Sequence, residues 1–379
     1  MGSARYYAAR RDIEVTDIMQ PISKPADHPP VPARRVGVLL MNLGTPEATD
    51  YWSMRRYLKE FLSDPRVIEV PKAVWWPVLN GIILTVRPGK SGHAYKSIWN
   101  EERNESPLKT VTRAQAEGVA AALAARHGDS VVVDWAMRYG QPAVGPAIQR
   151  LKDQGCDRIL LFPLYPQYSA TTTATANDQA FRQLMTMRWQ PAVRTVPAYH
   201  DEPGYIEALA RSVVRHIAAL DHTPDVLLAS FHGLPKVYLD RGDPYHCFCV
   251  KTARLLAERL GWEPGRVQYS FQSRFGKAEW LKPYTDKTVE ELARAGKTKI
   301  AVIAPGFSAD CVETLEEIQF QVKDAFMAAG GERFTYIPCL NDHPDHVIFL
   351  ADLVERELGG WVDGARTRAA RDAEDHVTA

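Results

Sequence analysis

Five short runs dominated by apolar residues constrain this chain most. They lie at 36–40, 131–133, 158–162, 225–229 and 299–303, and stretches with apolar residues at helical spacing lie between and beyond them, at 112–126, 143–154, 205–219, 250–260 and 289–295. A strand that is apolar throughout has no face for water and needs cover on both sides. Alternating with helices, such strands form a parallel sheet between helical layers. The chain also repeats itself. Val36-Gly-Val-Leu-Leu-Met-Asn-Leu-Gly-Thr-Pro46 resembles Asp225-Val-Leu-Leu-Ala-Ser-Phe-His-Gly-Leu-Pro235, and the run after Ile159 resembles the run after Ile300. The offsets differ, so the repeat carries insertions. The expectation is two α/β halves dividing near residue 195, with a cleft where strand C-termini meet.

The totals exclude several classes. The 379 residues suffice for two domains, and 46 basic against 46 acidic residues leave no basic excess for nucleic acid. Five scattered Cys suit a reducing compartment rather than a disulfide framework. No apolar run is long enough to span a bilayer. The nearest, 73–86, is interrupted by Pro77, Asn80 and Gly81. The first 35 residues lack a secretory apolar core, and Asp12, Glu14 and Asp17 argue against a transit peptide, so 1–34 is expected to be a mobile arm. A G-x-G-x-x-G after a strand, a P-loop around Gly89-Lys90 and a G-x-S-x-G elbow are all absent.

Four features carry candidate chemistry. His232 ends a strand at the crevice edge and precedes Gly233, a residue suited to a tight turn. It either bonds to backbone there or works as a proton acceptor or metal ligand, and position alone leaves both readings open. Beyond Ala309 a helix is expected, with the stripe Leu315, Ile318, Val322 and Phe326. Asp310, Glu313 and Glu317 then fall together on the opposite face. Pattern alone favours a solvated acidic face; turned into the cleft, the same face is a column of proton acceptors or hard ligands. His246-Cys247-Phe248-Cys249 lacks a second ligand pair at zinc spacing, and His343 and His346 read as a solvated turn. The segment 73–90, with Trp75, Trp76, Ile82 and Ile83 followed by Arg87, Lys90 and Lys96, is either a core helix or an apolar lip with a basic rim.

Several motifs in one order resemble the ferrochelatase family, whose members insert ferrous iron into protoporphyrin. They include Met41-Asn-Leu-Gly-Thr-Pro46, Tyr95 with Glu105-Ser-Pro107, Met137-Arg-Tyr139, Tyr165-Pro-Gln-Tyr-Ser169, Ser230-Phe-His-Gly-Leu-Pro235, Gln272-Ser-Arg274, Trp280-Leu-Lys-Pro283 and Phe307-Ser-Ala-Asp-Cys-Val-Glu-Thr314. The resemblance implies an α/β chelatase-type fold: two Rossmann-like domains with four-stranded parallel sheets flanked by helices. The expected divisions are 35–195 with its lip at 73–90, 196–345, a C-terminal helix at 346–362 packing back on the first domain, and a polar tail at 363–379.

By position, the resemblance implies that His232, Glu313, Glu317 and Asp310 are catalytic and that His232 and Glu313 meet the metal. Leu43, Tyr95, Ser106, Arg138, Tyr139, Trp280 and Phe307 are implied to bind the porphyrin, Arg138 through a propionate. Cys311 stands where many members carry a histidine. No cofactor is expected: some members bind an iron–sulfur cluster through C-terminal cysteines, but no Cys follows Cys339. The implied partners are protoporphyrin IX and ferrous iron. A cytoplasmic location is implied, with peripheral contact to the inner membrane through the lip as the alternative, and the oligomeric state stays open. A chelatase for a more carboxylated tetrapyrrole and a non-catalytic porphyrin carrier are the rival readings.

Overall fold

The computed structural model describes residues 34–276 and 278–362, together with Asp27. The arm expected at 1–34 and the tail at 363–379 thus lie, apart from Asp27 and Arg34, outside the described residues. The described residues from Arg34 to Val362 belong to one compact unit built on two parallel sheets. The first contains β1 (Arg35–Gly44), β2 (Val131–Tyr139), β3 (Cys156–Pro163) and β4 (Ala192–Thr195), in the order β2-β1-β3-β4. The second contains β5 (Val226–His232), β6 (Val267–Gln272), β7 (Lys299–Ile303) and β8 (Arg333–Ile337), in the order β6-β5-β7-β8. The two orders are one permutation, so the sequence repeat is a repeat of topology.

Sequence reading finds all four central strands and misses β4, β6 and β8, which are edges. β1 is buried almost throughout, as an apolar run requires, whereas β4 is mostly exposed and β8 begins exposed. An edge strand has less apolar cover to satisfy and leaves a weaker signal.

Helices α1 (Tyr51–Leu62), α2 (Lys72–Val78) and α3 (Leu84–Lys96) precede β2, with a five-residue π turn, Leu79–Ile83, joining α2 to α3. The Asp50 carboxylate caps α1 by accepting from the Trp52 and Ser53 amides. Pro77 and Pro88 lie inside α2 and α3, and the chain stays helical by widening one turn between them. The 73–90 segment has a core face and an exposed apolar face. Leu79 and Leu84 are buried with Met54, Tyr57 and Tyr95, while Val74, Trp76, Ile82 and Val86 are exposed.

Helix α4 (Pro107–His127) starts five residues before the apolar pattern at 112–126, because Ser106 caps it and Pro107 fills a position that needs no amide. Helices α5 (Val144–Asp153), α6 (Thr175–Met185), α7 (Pro203–Ala218), α8 (Lys236–Asp240), α9 (Tyr245–Leu260) and α10 (Thr285–Arg294) follow. A π-helix, Glu313–Val322, then runs into α11 (Lys323–Ala328).

The last helix, α12 (Pro344–Glu357), is capped by the His343 ring, which accepts from the Asp345 amide. His346 is fully buried, and burial pushes its pKa down to about 4. The solvated turn expected at His343 and His346 is therefore a helix start with one core imidazole. The end of the chain is tied to the first sheet and its helices. Arg126 pairs with Asp352, Arg158 donates to the Trp361 carbonyl, and Arg194 donates to the carbonyls of Glu357 and Gly359.

Candidate active site

The C-terminal ends of β5 and β6 are in register, with His232 opposite Gln272. Gly233 follows His232, and a Cβ at Gly233 would stand 2.5 Å from the Gln272 carbonyl oxygen and 3.2 Å from the Trp280 ring. Close approach, rather than a left-handed turn, is what demands glycine here. The imidazole Nδ1 lies 2.7 Å from the Gly233 carbonyl oxygen. A carbonyl only accepts, so Nδ1 carries the proton, and in the neutral ring the lone pair is on Nε2.

The acidic segment follows β7 and is wound as a π-helix, and this changes which residues share a face. Thr314, Ile318, Val322 and Phe326 are buried, every fourth residue, while Leu315 is only half-buried. Glu313 and Glu317 lie off that stripe. Gln272 Nε2 donates to the Glu313 carbonyl at 2.7 Å, which fastens the first π turn to the end of β6. The Glu317 carboxylate accepts from the Ser273 amide at 2.7 Å and from its hydroxyl at 2.5 Å. Burial raises the pKa of Glu317, and the neighbouring Glu313 charge raises it further, against the lowering by the Ser273 hydroxyl and amide and by His232. Glu317 thus lies within electrostatic reach of both His232 and Glu313.

Asp310 does not share their face, contrary to the sequence expectation. It is buried and accepts from the Thr314 hydroxyl at 2.9 Å, the Tyr336 hydroxyl at 2.6 Å and the Asn341 amide at 2.7 Å. Those partners place it with the buried stripe, beside the end of β8.

The first half closes over the same helix start. Tyr57 and Tyr95 are buried, and their phenols are pushed up by burial and further by the Glu313 charge. Cys311 is also buried and pushed up for the same two reasons. Leu43 packs with Tyr57, Tyr95, Tyr139 and Val312, and on its other side with Cys311 and Phe307. The Phe307 ring lies 6.5 Å from that of His232. The Trp280 Nε1–H is buried without a hydrogen-bond partner.

Two residues expected to touch a ligand are engaged elsewhere. Ser106 is 2 % exposed and accepts from the Lys109 amide as the cap of α4. Arg138 donates through Nε to the Thr175 hydroxyl at 2.7 Å and pairs with Asp64 at 2.5 Å; the Tyr139 hydroxyl donates to that same Asp64 oxygen at 2.8 Å. The buried guanidinium is thus held by the buried Asp64, with the exposed Glu60 carboxylate 3.9 Å from its other amino group. Arg87 of α3 is the opposite case. It forms no ion pair among the described residues, and its guanidinium stacks 5.1 Å over Phe275 of the second half. Burial lowers its pKa while the Glu313 charge raises it. Sequence reading treats Arg87 only as part of a basic rim, and it does not single out Tyr57 or Ser273. Ser273 owes its place to a positive φ of 65° that no residue pattern announces.

Among the described residues, no three His, Cys, Asp or Glu side chains gather as a metal-holding group. A depression of about 340 Å³ between α7 and α12 and another of about 490 Å³ near Arg138 are lined by neither His232 nor Glu313.

An imidazole whose Nδ1 proton is held by backbone, with a carboxylate in its electrostatic reach held above its ordinary range, can take up protons and pass them on. Two sheets of one topology, with such a site at their strand ends, define the chelatase class. SirB from Bacillus subtilis with Fe3+ has the same fold, with a TM-score of 0.52 at 14% identity over 87% of this chain and 98% of that one. Within that class, the family model described as Ferrochelatase matches residues 35–358, and the chain belongs to the ferrochelatase family. It is 60% identical over 338 residues to the ferrochelatase of Agrobacterium fabrum, covering 89% of this chain and 98% of the relative. It is 61% identical over 340 residues to that of Rhodobacter capsulatus, covering 89% and 97%.

Proposed function

We propose that this protein is a ferrochelatase, inserting ferrous iron into protoporphyrin IX to form protohaem with release of two protons. The reaction needs a base for two pyrrole N–H protons and a site that accepts a divalent cation in transit. The observation that carries the reading is the hydrogen bond from His232 Nδ1 to the Gly233 carbonyl, which leaves the Nε2 lone pair as a base, with Glu317 near enough to feel both the imidazole and Glu313. His232 Nε2 takes a pyrrole proton. Glu313, beside it, meets the incoming ferrous ion, whose preferences include both imidazole and carboxylate. Glu317 receives a proton more readily than an ordinary glutamate. Asp310 holds the start of the π-helix and acts on the reaction through that positioning.

Leu43, Tyr95 and Phe307 supply apolar surface for the macrocycle. The flat ring must bend before its nitrogens can reach iron, and binding energy on that surface offsets the cost. Arg87 replaces Arg138 as the partner for a propionate, because Arg87 has no carboxylate of its own.

No iron–sulfur cluster belongs to this reading. Cys156, Cys249, Cys311 and Cys339 are packed into four different apolar clusters. Among the described residues no helix is long and apolar enough to cross a membrane. Peripheral contact through the exposed side of the lip is part of the proposal, since Val74, Trp76, Ile82 and Val86 face water together.

The test is to mix the protein anaerobically with protoporphyrin and ferrous ion and to follow free-porphyrin fluorescence. Turnover with appearance of haem is expected. Tight binding without turnover would mean a carrier instead.

A further inference from the structure

A second cationic feature lies outside the proposed site. On α1, Arg56, Lys59 and Glu60 point to one side, and with Arg182 of α6 they line the depression of about 490 Å³ whose wall also holds Arg138 and Asp64. Four cations therefore face two carboxylates. Both carboxylates are taken up by Arg138, Asp64 at 2.5 Å and Glu60 at 3.9 Å, and Glu60 also accepts from the Gly140 amide at 3.1 Å. Among the described residues Arg56, Lys59 and Arg182 form no ion pair: Arg56 donates to the Ser53 hydroxyl, with the Asp50 charge in longer reach, Arg182 donates to the Gln179 amide oxygen, and Lys59 sits 5.7 Å over the Trp76 ring. Trp76 is 52% exposed and belongs to the apolar side of the lip. The cationic depression thus opens at the foot of the surface proposed to meet a bilayer.

We infer that this depression binds the anionic phosphodiester headgroup of a bilayer lipid, with the lipid's acyl chains lying along Trp76 and Val74. The inference rests on the reading of the lip as a membrane contact. Charge complementarity sets the headgroup's sign, and the lysine over the lip tryptophan sets its source, since a soluble anion would gain nothing from Trp76. A basic side chain at an anionic lipid surface contributes about 1 kcal/mol, or about fivefold in binding. Lipid held here would fix how the lip sits in the interface.

The experiment uses the full chain and vesicle sedimentation, with phosphatidylcholine alone or mixed with phosphatidylglycerol. The variants are Arg56→Gln/Lys59→Gln/Arg182→Gln and, for the lip, Trp76→Ser/Ile82→Ser/Val86→Ser. All six side chains are exposed, so the cation variant keeps its fold, which porphyrin turnover without vesicles would report as unchanged. Wild type is expected to prefer phosphatidylglycerol vesicles by about a hundredfold and the cation variant to lose that preference while keeping its weak binding to phosphatidylcholine. The lip variant is expected to lose binding to both. A cation variant that keeps the preference overturns the headgroup site and leaves the lip reading standing. A lip variant that binds both vesicles normally overturns the lip reading itself. Calorimetry with glycerol phosphate separates the sources: binding of the soluble anion to the same three cations, without any vesicle preference, would overturn the lipid assignment.

Discussion

The two sheets share one strand order, yet their C-terminal edges are put to opposite uses. At the end of β2, Arg138 and Tyr139 turn inward and satisfy Asp64 together with Thr175. At the ends of β5 and β6, His232 bonds to backbone through Nδ1, Gln272 anchors the π-helix, and Glu317 is near enough to feel both the imidazole and Glu313. A duplicated scaffold needs only one reactive edge. In the first half the charges neutralise one another and hold the fold; in the second, among the described residues, Glu313 and Glu317 form no ion pair, Glu317 being held by the Ser273 amide and hydroxyl, and that leaves a capacity for protons and cations.

The comparison breaks most visibly if the first-half cluster is not structural. Asp64→Ala leaves a buried guanidinium unpaired, and a loss of about 3–5 kcal/mol in unfolding free energy is expected by denaturant titration. Hydrogen bonds and the Arg138 charge hold the Asp64 pKa below its ordinary value, so this stability is present above the unfolded carboxylate pKa and is lost as pH falls through the folded one. Next in size, Glu313→Gln should lower the insertion rate about a hundredfold, in the range of a lost acid–base or electrostatic partner, with little change in melting temperature. Comparable melting losses in both variants would erase the distinction between the two edges.

A smaller effect separates the two arginines. Arg87→Gln should raise KM for protoporphyrin about tenfold, the value of a charge-assisted hydrogen bond, and should leave KM for a porphyrin diester unchanged. Equal changes for acid and ester would remove the propionate from Arg87. Smallest is the pH effect at Glu317. Its folded pKa is raised, so its favourable contribution is full below the unfolded value near 4.3 and declines as pH rises through the folded one. Relative to wild type, Glu317→Gln should therefore gain stability between pH 4 and neutrality, read as a rising difference in denaturation midpoint.

Much of this arrangement is legible in the sequence, for physical reasons. Central strands such as β1 and β5 are buried on both faces and must be apolar throughout; edge strands such as β4 carry no such demand. His232 and Glu313 are readable because a strand end and a helix start fix their places along the chain. The face of Asp310 is not, because helical spacing assumes 3.6 residues per turn and the segment beyond it is wound wider. The roles of Arg87 and Arg138 are not readable either, since a basic residue looks the same whether or not Asp64, 74 positions away, has already claimed it.

The central claim is that Nε2 of His232 is the base that receives a pyrrole proton, and single-turnover insertion by His232→Ala, with porphyrin affinity measured on the same sample, tests it most directly. The account predicts near-normal porphyrin affinity and a turnover lowered about 10²–10⁴-fold. Haem formed at the wild-type rate by that variant would contradict it.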